Sequence, residues 1–133
     1  MEKILTFVIY KNKFLLLLGN ENEPQFHKSF WYVITGAVES EDTNFEDAVK
    51  RELKEETNLD ALKIKDMAWT FEYNSLGKHC IEHAYLTYVS NDLVVLNEES
   101  IDYKWCNLNE FLSLIKWYGD KEELKYKLLK FVK

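Results

Sequence analysis

A chain of 133 residues with 47% hydrophobic and 15% aromatic content has ample apolar surface for a core, which excludes a disordered polypeptide and sets the expectation of one domain over residues 1–133. A net charge of −6 and a pI near 5.1 lack the basic track that a long nucleic acid requires, while leaving room for a small phosphorylated ligand bridged by metal. No apolar run approaches the roughly 20 residues of a membrane span, and Met1-Glu2-Lys3-Ile4 lacks a secretory leader's basic start and long apolar core, so a cytoplasmic protein of open oligomeric state is expected.

Ile4 to Tyr10 reads as a strand, Lys11-Asn12-Lys13 as a short turn, and Phe14 to Leu18 as an apolar strand ending at Gly19-Asn20. Together they predict a hairpin. Glu21 to Lys28, which holds the only proline, reads as a loop, and Trp31 to Ile34 as a short aromatic strand that breaks at Gly36. A helix is expected from Thr43 or Asn44 to Thr57, opened by Thr43-Asn44-Phe45-Glu46 as a capping box and closed by Asn58, a residue that tolerates the left-handed conformation. Ile64 to Tyr73 and Cys80 to Val89 read as strands flanking a turn at Asn74 to Lys78, with short strands added by Asp92 to Leu96 and Tyr103 to Cys106. Asn107-Leu108-Asn109-Glu110 has the cap pattern of a short helix, and Lys121 to Val132 reads as an amphipathic terminal helix. Cys80 and Cys106 lie far apart without a Cys-x-x-Cys spacing and are expected to be free structural thiols.

The chemistry concentrates in Arg51-Glu52-Leu53-Lys54-Glu55-Glu56. At about 100° per residue, Glu56 falls roughly 40° to one side of Glu52 and Glu55 roughly 60° to the other, so three carboxylates share one arc. Phe45, Ala48 and Val49 fall on the same side one and two turns earlier, which turns that arc inward. Like charges three and four apart cost roughly 0.2–0.5 kcal/mol per pair, and more where water is excluded, unless a cation neutralises them. Hard oxygen ligands of this kind suit Mg²⁺, with Mn²⁺ as a substitute. The bland reading, an ordinary solvated helix with Arg51 and Glu55 paired four apart, fits the six residues alone. It does not account for the aromatic strand, glycine and acidic loop that precede them.

The chain resembles the Nudix hydrolases, whose signature is a Gly, a Glu six residues on, and then Arg-Glu-hydrophobic-any-Glu-Glu-any-Gly-hydrophobic on a helix. Gly36, Asp42, Arg51, Glu52, Leu53, Glu55, Glu56, Asn58 and Leu59 fill those places. The gap from Gly36 to Arg51 is one residue longer than the family's, Asp42 stands for Glu, and Asn58 for the closing Gly; Glu41 or Asp42 serves as the loop acid. Glu98-Glu99 ahead of Trp105-Cys106-Asn107-Leu108-Asn109-Glu110 is similar to the family's late acidic segment. The aromatic run before Gly36 looks closest to the branch that cleaves dihydroneopterin triphosphate and dATP.

The resemblance implies an α/β/α sandwich with a mixed sheet, a central catalytic helix and a C-terminal helix. It implies a Mg²⁺-dependent pyrophosphohydrolase acting on a nucleoside triphosphate or a related nucleoside diphosphate compound. Metal would be held by Glu52, Glu55, Glu56, Glu99 and the Thr35 carbonyl. Glu52 or a loop acid, Glu99 or its neighbour Glu98, would serve as general base, and Arg51 would orient the acids. Trp31, Gly36 and Lys13 are the candidate substrate contacts, with Lys11 and Lys28 as further phosphate candidates. Glu82 and His83 point to opposite faces of a strand, so at most one faces a cleft. Two alternatives are a catalytically silent nucleotide-binding or interaction module of the same fold, and an acidic interaction domain whose helix faces solvent.

Overall fold

The structure, a computed structural model, describes residues 1–20 and 29–133. The expected loop Glu21 to Lys28, with His27 and Lys28, lies outside the described residues. Strands β1 (Glu2–Tyr10) and β2 (Lys13–Gly19) form the predicted hairpin, with Ile9 opposite Phe14 and Tyr10 opposite Lys13. Lys11 and Asn12 both have positive φ, 47° and 64°, the hand of turn that matches the strand twist in a two-residue hairpin.

Beyond those two rungs the hairpin opens. β4 (Ile34–Ala37) takes the place beside β1, from Lys3 opposite Ala37 to Thr6 opposite Ile34. β2 instead pairs with β3 (Trp31–Tyr32) and β7 (Ser100–Cys106). The single aromatic strand expected over Trp31 to Ile34 is therefore two strands that change partner at Val33. Gly36 does not break the strand, since it pairs with Ile4 inside β4. On its other edge β1 runs parallel to β6 (Lys78–Val89), which pairs antiparallel with β5 (Ala61–Ser75). Among the described residues these make one mixed seven-stranded sheet.

Helix α1 (Phe45–Thr57) covers one face, where Ala48, Val49 and Leu53 meet Ile4 and Val8 of β1 and Tyr85 and Val89 of β6. Helices α2 (Leu108–Leu114) and α3 (Lys121–Leu129) cover the other, where Phe111, Ile115, Leu124 and Leu128 meet Leu5, Phe7, Phe14 and Leu86. Coverage on both faces explains why Ile4 to Ile9 is buried without alternation. The arrangement is the expected α/β/α sandwich with a central helix. The terminal helix stops at Leu129, short of the expected Val132.

Asp92 to Leu96 is not a strand. Its backbone groups are satisfied elsewhere: Val95 N–H donates to the Thr57 carbonyl at the end of α1, and the Trp105 indole donates to the Asp92 carbonyl. Cys80 and Cys106 are buried free thiols. No helix among the described residues is long and apolar enough to cross a membrane.

Candidate active site

The fork between β4 and the β2/β3 pair opens into a cleft of about 750 Å³ lined by Leu17, Gly19, Phe30, Tyr32, Thr35, Gly36, Glu52, Glu56 and Glu99. Helix α1 supplies the acids, and its start fixes their direction. Asn44 is the N-cap: its side chain accepts from Asp47 N–H, while the Asp47 carboxylate accepts from Thr43 N–H. The capping pair is thus one residue later than the expected Thr43 and Glu46, which takes up the extra residue of the loop. At the other end Asn58 adopts φ 61°, and its N–H closes onto the Lys54 carbonyl.

Arg51 organises the loop. Its Nε and Nη2 grip both carboxylate oxygens of Asp42 at 3.1 and 2.9 Å, Nη2 also donates to the Ala37 carbonyl, and Nη1 donates to Glu52 Oε1 at 2.8 Å. Asp42 accepts from Glu39 N–H as well. The Asp42 side chain is 4% exposed and that of Arg51 18%, so a two-pronged ion pair ties the acidic loop to the helix. Of the two loop acids, Asp42 makes this bond, and Glu41 is exposed. The Arg51 guanidinium holds the Asp42 carboxyl below the usual range, and Asp42, as strongest partner, raises Arg51.

Glu52 and Glu56 sit in the cleft wall at 9% and 7% exposure. Burial raises the Glu52 pKa, opposed by its bonds to Glu56 and Arg51. Burial pushes Glu56 well above the ordinary carboxylate value, reinforced by Glu52 and by the charges of Glu99 and Glu55. Glu56 Oε2 is buried without a hydrogen-bond partner among the described residues. Glu99 reaches the same cleft from the turn before β7, where its backbone N–H donates to Asn97 Oδ1 and its Oε2 accepts from Asn97 Nδ2. Glu98 is not in the lining; its carbonyl accepts from Asn20. Glu55 is half-exposed at 3.6 Å from Arg51 Nη1.

A dry carboxylate pair with an orphaned oxygen, in the field of further acids, fits a divalent cation that would discharge the repulsion and take up the lone pair. As the side chains stand, no three or more acidic, His or Cys groups among the described residues converge on one ion position. One oxygen of Glu52 is engaged by Arg51 instead.

Gly36 belongs to this site through its missing side chain. A Cβ there would fall inside contact distance of Glu52 Cδ and Oε1 and 2.7 Å from Glu52 Cγ, so the acid lies directly against the bare backbone of β4. Thr35, beside it, lines the cleft.

Trp31 and Lys13 are placed elsewhere. Trp31 and Tyr32 both pack against the core cluster that holds Phe111 and Ile115, Tyr32 by stacking on Trp117, but only Phe30 and Tyr32 also line the cleft. Lys13 opens β2 at the hairpin, whereas the cleft takes Leu17 and Gly19 from that strand. Six residues at about 3.3 Å each put Lys13 about 20 Å from Gly19. Lys11 is in the hairpin turn, over the Tyr10 ring.

The lining also includes Met1, Lys3, Ser75, Leu76, Lys78 and Cys80, which sequence reasoning passed over because the parallel β1–β6 pairing that assembles them joins segments about eighty residues apart. Behind Lys3, Glu82 is buried and accepts from the Tyr73 hydroxyl at 3.0 Å. Burial raises its pKa, while the Tyr73 bond and the Lys3 charge oppose the shift. His83 faces the other way, stacked on Phe45 and 2.6 Å from Glu2 Oε2.

Similarity to known proteins extends over most of the chain. A family model described as NUDIX domain matches residues 4–128. The dihydroneopterin triphosphate diphosphatase of Haemophilus influenzae is 25% identical over 125 residues, covering 84% of this chain and 76% of that protein. Among solved structures, the MutT protein of Methanosarcina mazei superposes with a TM-score of 0.78 at 24% identity, over 100% of this chain and 96% of that one. A C. elegans Ap4A hydrolase superposes at 0.68 with 25% identity, over 98% and 93%.

Proposed function

The chain belongs to the Nudix hydrolase family and is by that membership a pyrophosphohydrolase, and from that premise we propose that it is a Mg²⁺-dependent enzyme of the cytoplasm cleaving a nucleoside triphosphate or a related nucleoside diphosphate compound. Water attacks phosphorus, the phosphoanhydride P–O bond breaks, and a monophosphate leaves with pyrophosphate or a second phosphorylated product. The observation that carries this reading is the buried Glu52 and Glu56 pair with its unpartnered oxygen, facing a cleft that Glu99 enters from the other side of the sheet fork.

In this reading Glu52, Glu55, Glu56, Glu99 and the Thr35 carbonyl hold the cation, with Mn²⁺ as a substitute. A bound Mg²⁺ would supply charge neutralisation for the diphosphate, polarisation of phosphorus and a lowered pKa for water. The chain's own residues do the rest. Arg51 fixes the rotamer of Glu52 through the 2.8 Å bond and anchors the loop through Asp42. Glu52 or Glu99 takes the proton of the attacking water. Gly36 keeps the backbone bare where Glu52 must lie. Phe30 and Tyr32 give the remainder of the substrate an aromatic wall. The H. influenzae relative is named for a pterin triphosphate and the C. elegans structure for a dinucleoside polyphosphate, which supports a ring-bearing substrate with a phosphoanhydride.

The test is phosphate release coupled to inorganic pyrophosphatase, over a panel of such compounds, with Mg²⁺ and with chelator. Turnover is expected with Mg²⁺ alone, and Glu52→Gln and Glu56→Gln are each expected to lower kcat by about a hundredfold or more. Unchanged turnover in Glu56→Gln would remove the basis of the proposal.

A further inference from the structure

The tip of the β5–β6 hairpin breaks two rules at once. Ser75 pairs with Lys78, leaving Leu76 and Gly77 as a two-residue turn with φ of 51° and 77°. That hand of turn favours Asn, Asp or Gly at the first position, and a leucine there is both strained and rare. Leu76 is also 97% exposed, so its side chain gains no burial to offset the strain. Of the other non-glycine residues at positive φ, Lys11, Asn12 and Asn58 are polar, and Ala68, at the irregularity between Asp66 and Thr70 of β5, is small.

Leu76 lies on the rim of the cleft that holds the acids, with Ser75, Lys78, Met1 and the aromatic pair Phe30 and Tyr32 in the same lining. Strained residues that nothing in the free protein rewards are a feature of ligand clamps. We infer that Leu76 is a specificity-determining residue that closes over the planar heterocycle of the substrate while the acids hold its phosphates. This rests on the proposed function above and adds to it the residue that meets the ring of the substrate. Lys3 and Lys78 are in the same lining and favour a ring with electron-rich acceptor edges.

Turnover by the unaltered protein tests the function, and binding tests this inference separately. The dissociation constant of an α,β-methylene purine nucleoside triphosphate, measured by calorimetry with Mg²⁺, needs no hydrolysis. Leu76→Asn, which suits the turn, is expected to melt no lower than the parent and to weaken that binding about tenfold, equivalent to ~1.4 kcal/mol. Inorganic tripolyphosphate, which has no ring, is expected to bind both proteins equally, and Leu76→Met to retain parental affinity for the nucleotide. Equal nucleotide affinity in parent and Leu76→Asn would overturn the inference. So would an equal loss for tripolyphosphate, which would mean a general distortion of the cleft, or a fall in oligomer mass in Leu76→Asn, which would make Leu76 a contact between copies.

Discussion

A methyl group added at Gly36 would collide with the carboxyl end of Glu52 and not with backbone. The collision is with a side chain that can turn away, so Gly36→Ala is expected to fold and melt close to the parent while the carboxylate moves out of position. A displacement near 1 Å at a reacting centre costs about a hundredfold in rate, and kcat under saturating Mg²⁺ should fall by that order while circular dichroism melting stays put. Parental activity in this variant would mean that Glu52 has no demanding position to keep. Gly36 stands out in the sequence as a glycine between an aromatic strand and an acidic helix, but its reason does not. It reads as a turn former, whereas the structure uses it within a strand at ordinary φ, and only the packing of α1 on β4 reveals the constraint. Arg51 is the opposite case: its spacing marks it as a partner of the acids, and the structure adds Asp42 and the Ala37 carbonyl.

At the scale of elements, α1 shows what a local pattern can fix. Its apolar stripe, its acidic arc and its closure at Asn58 are all set by residues within one or two turns, so periodicity and cap chemistry foretell them. The start is off by one because the chain offers two adjacent cap pairs, Thr43 with Glu46 and Asn44 with Asp47; Asn44 is the cap used, and Phe45 stacks on His83 across the sheet. That choice depends on a strand forty residues away and leaves no local trace. Asp92 to Leu96 fails for the same reason, since its partners are a helix end and an indole. The Asn58 cap is directly testable. Alanine in the left-handed conformation costs about 1 kcal/mol or more, whereas glycine adopts it freely. In urea unfolding Asn58→Ala should lose about that much, Asn58→Gly should equal the parent within a few tenths, and both should retain kcat because the carboxylates precede the cap.

Across the whole molecule, the candidate site depends on a sheet that forks. β1 holds β6 along its length, β4 from Lys3 to Thr6 and β2 over two rungs only, so the acids of α1, the Glu99 turn and the β5–β6 hairpin border one cleft. The same parallel pairing sets Lys3 beside Glu82 and buries an acid that metal chemistry does not explain. Glu82 has a native pKa raised above the ordinary 4.5, by burial first, with the Tyr73 hydroxyl and Lys3 only partly offsetting it. A raised native pKa means that the unfolded chain ionises first as pH climbs, so each step upward favours unfolding. Stability tied to Glu82 is therefore complete below the ordinary carboxylate value and declines as pH rises from there through the native pKa. Glu82→Gln keeps an oxygen for the Tyr73 hydroxyl and removes the titration. The melting temperature of the parent minus that of Glu82→Gln is expected to be highest near pH 4, to fall as pH rises, and to level off once the native carboxyl has ionised. Taking the difference cancels Glu52, Glu56 and Asp42, which titrate in both proteins. A flat difference from pH 4 to 8 would mean that Glu82 titrates alike folded and unfolded, and a rising one that its bonds to Tyr73 and Lys3 outweigh burial.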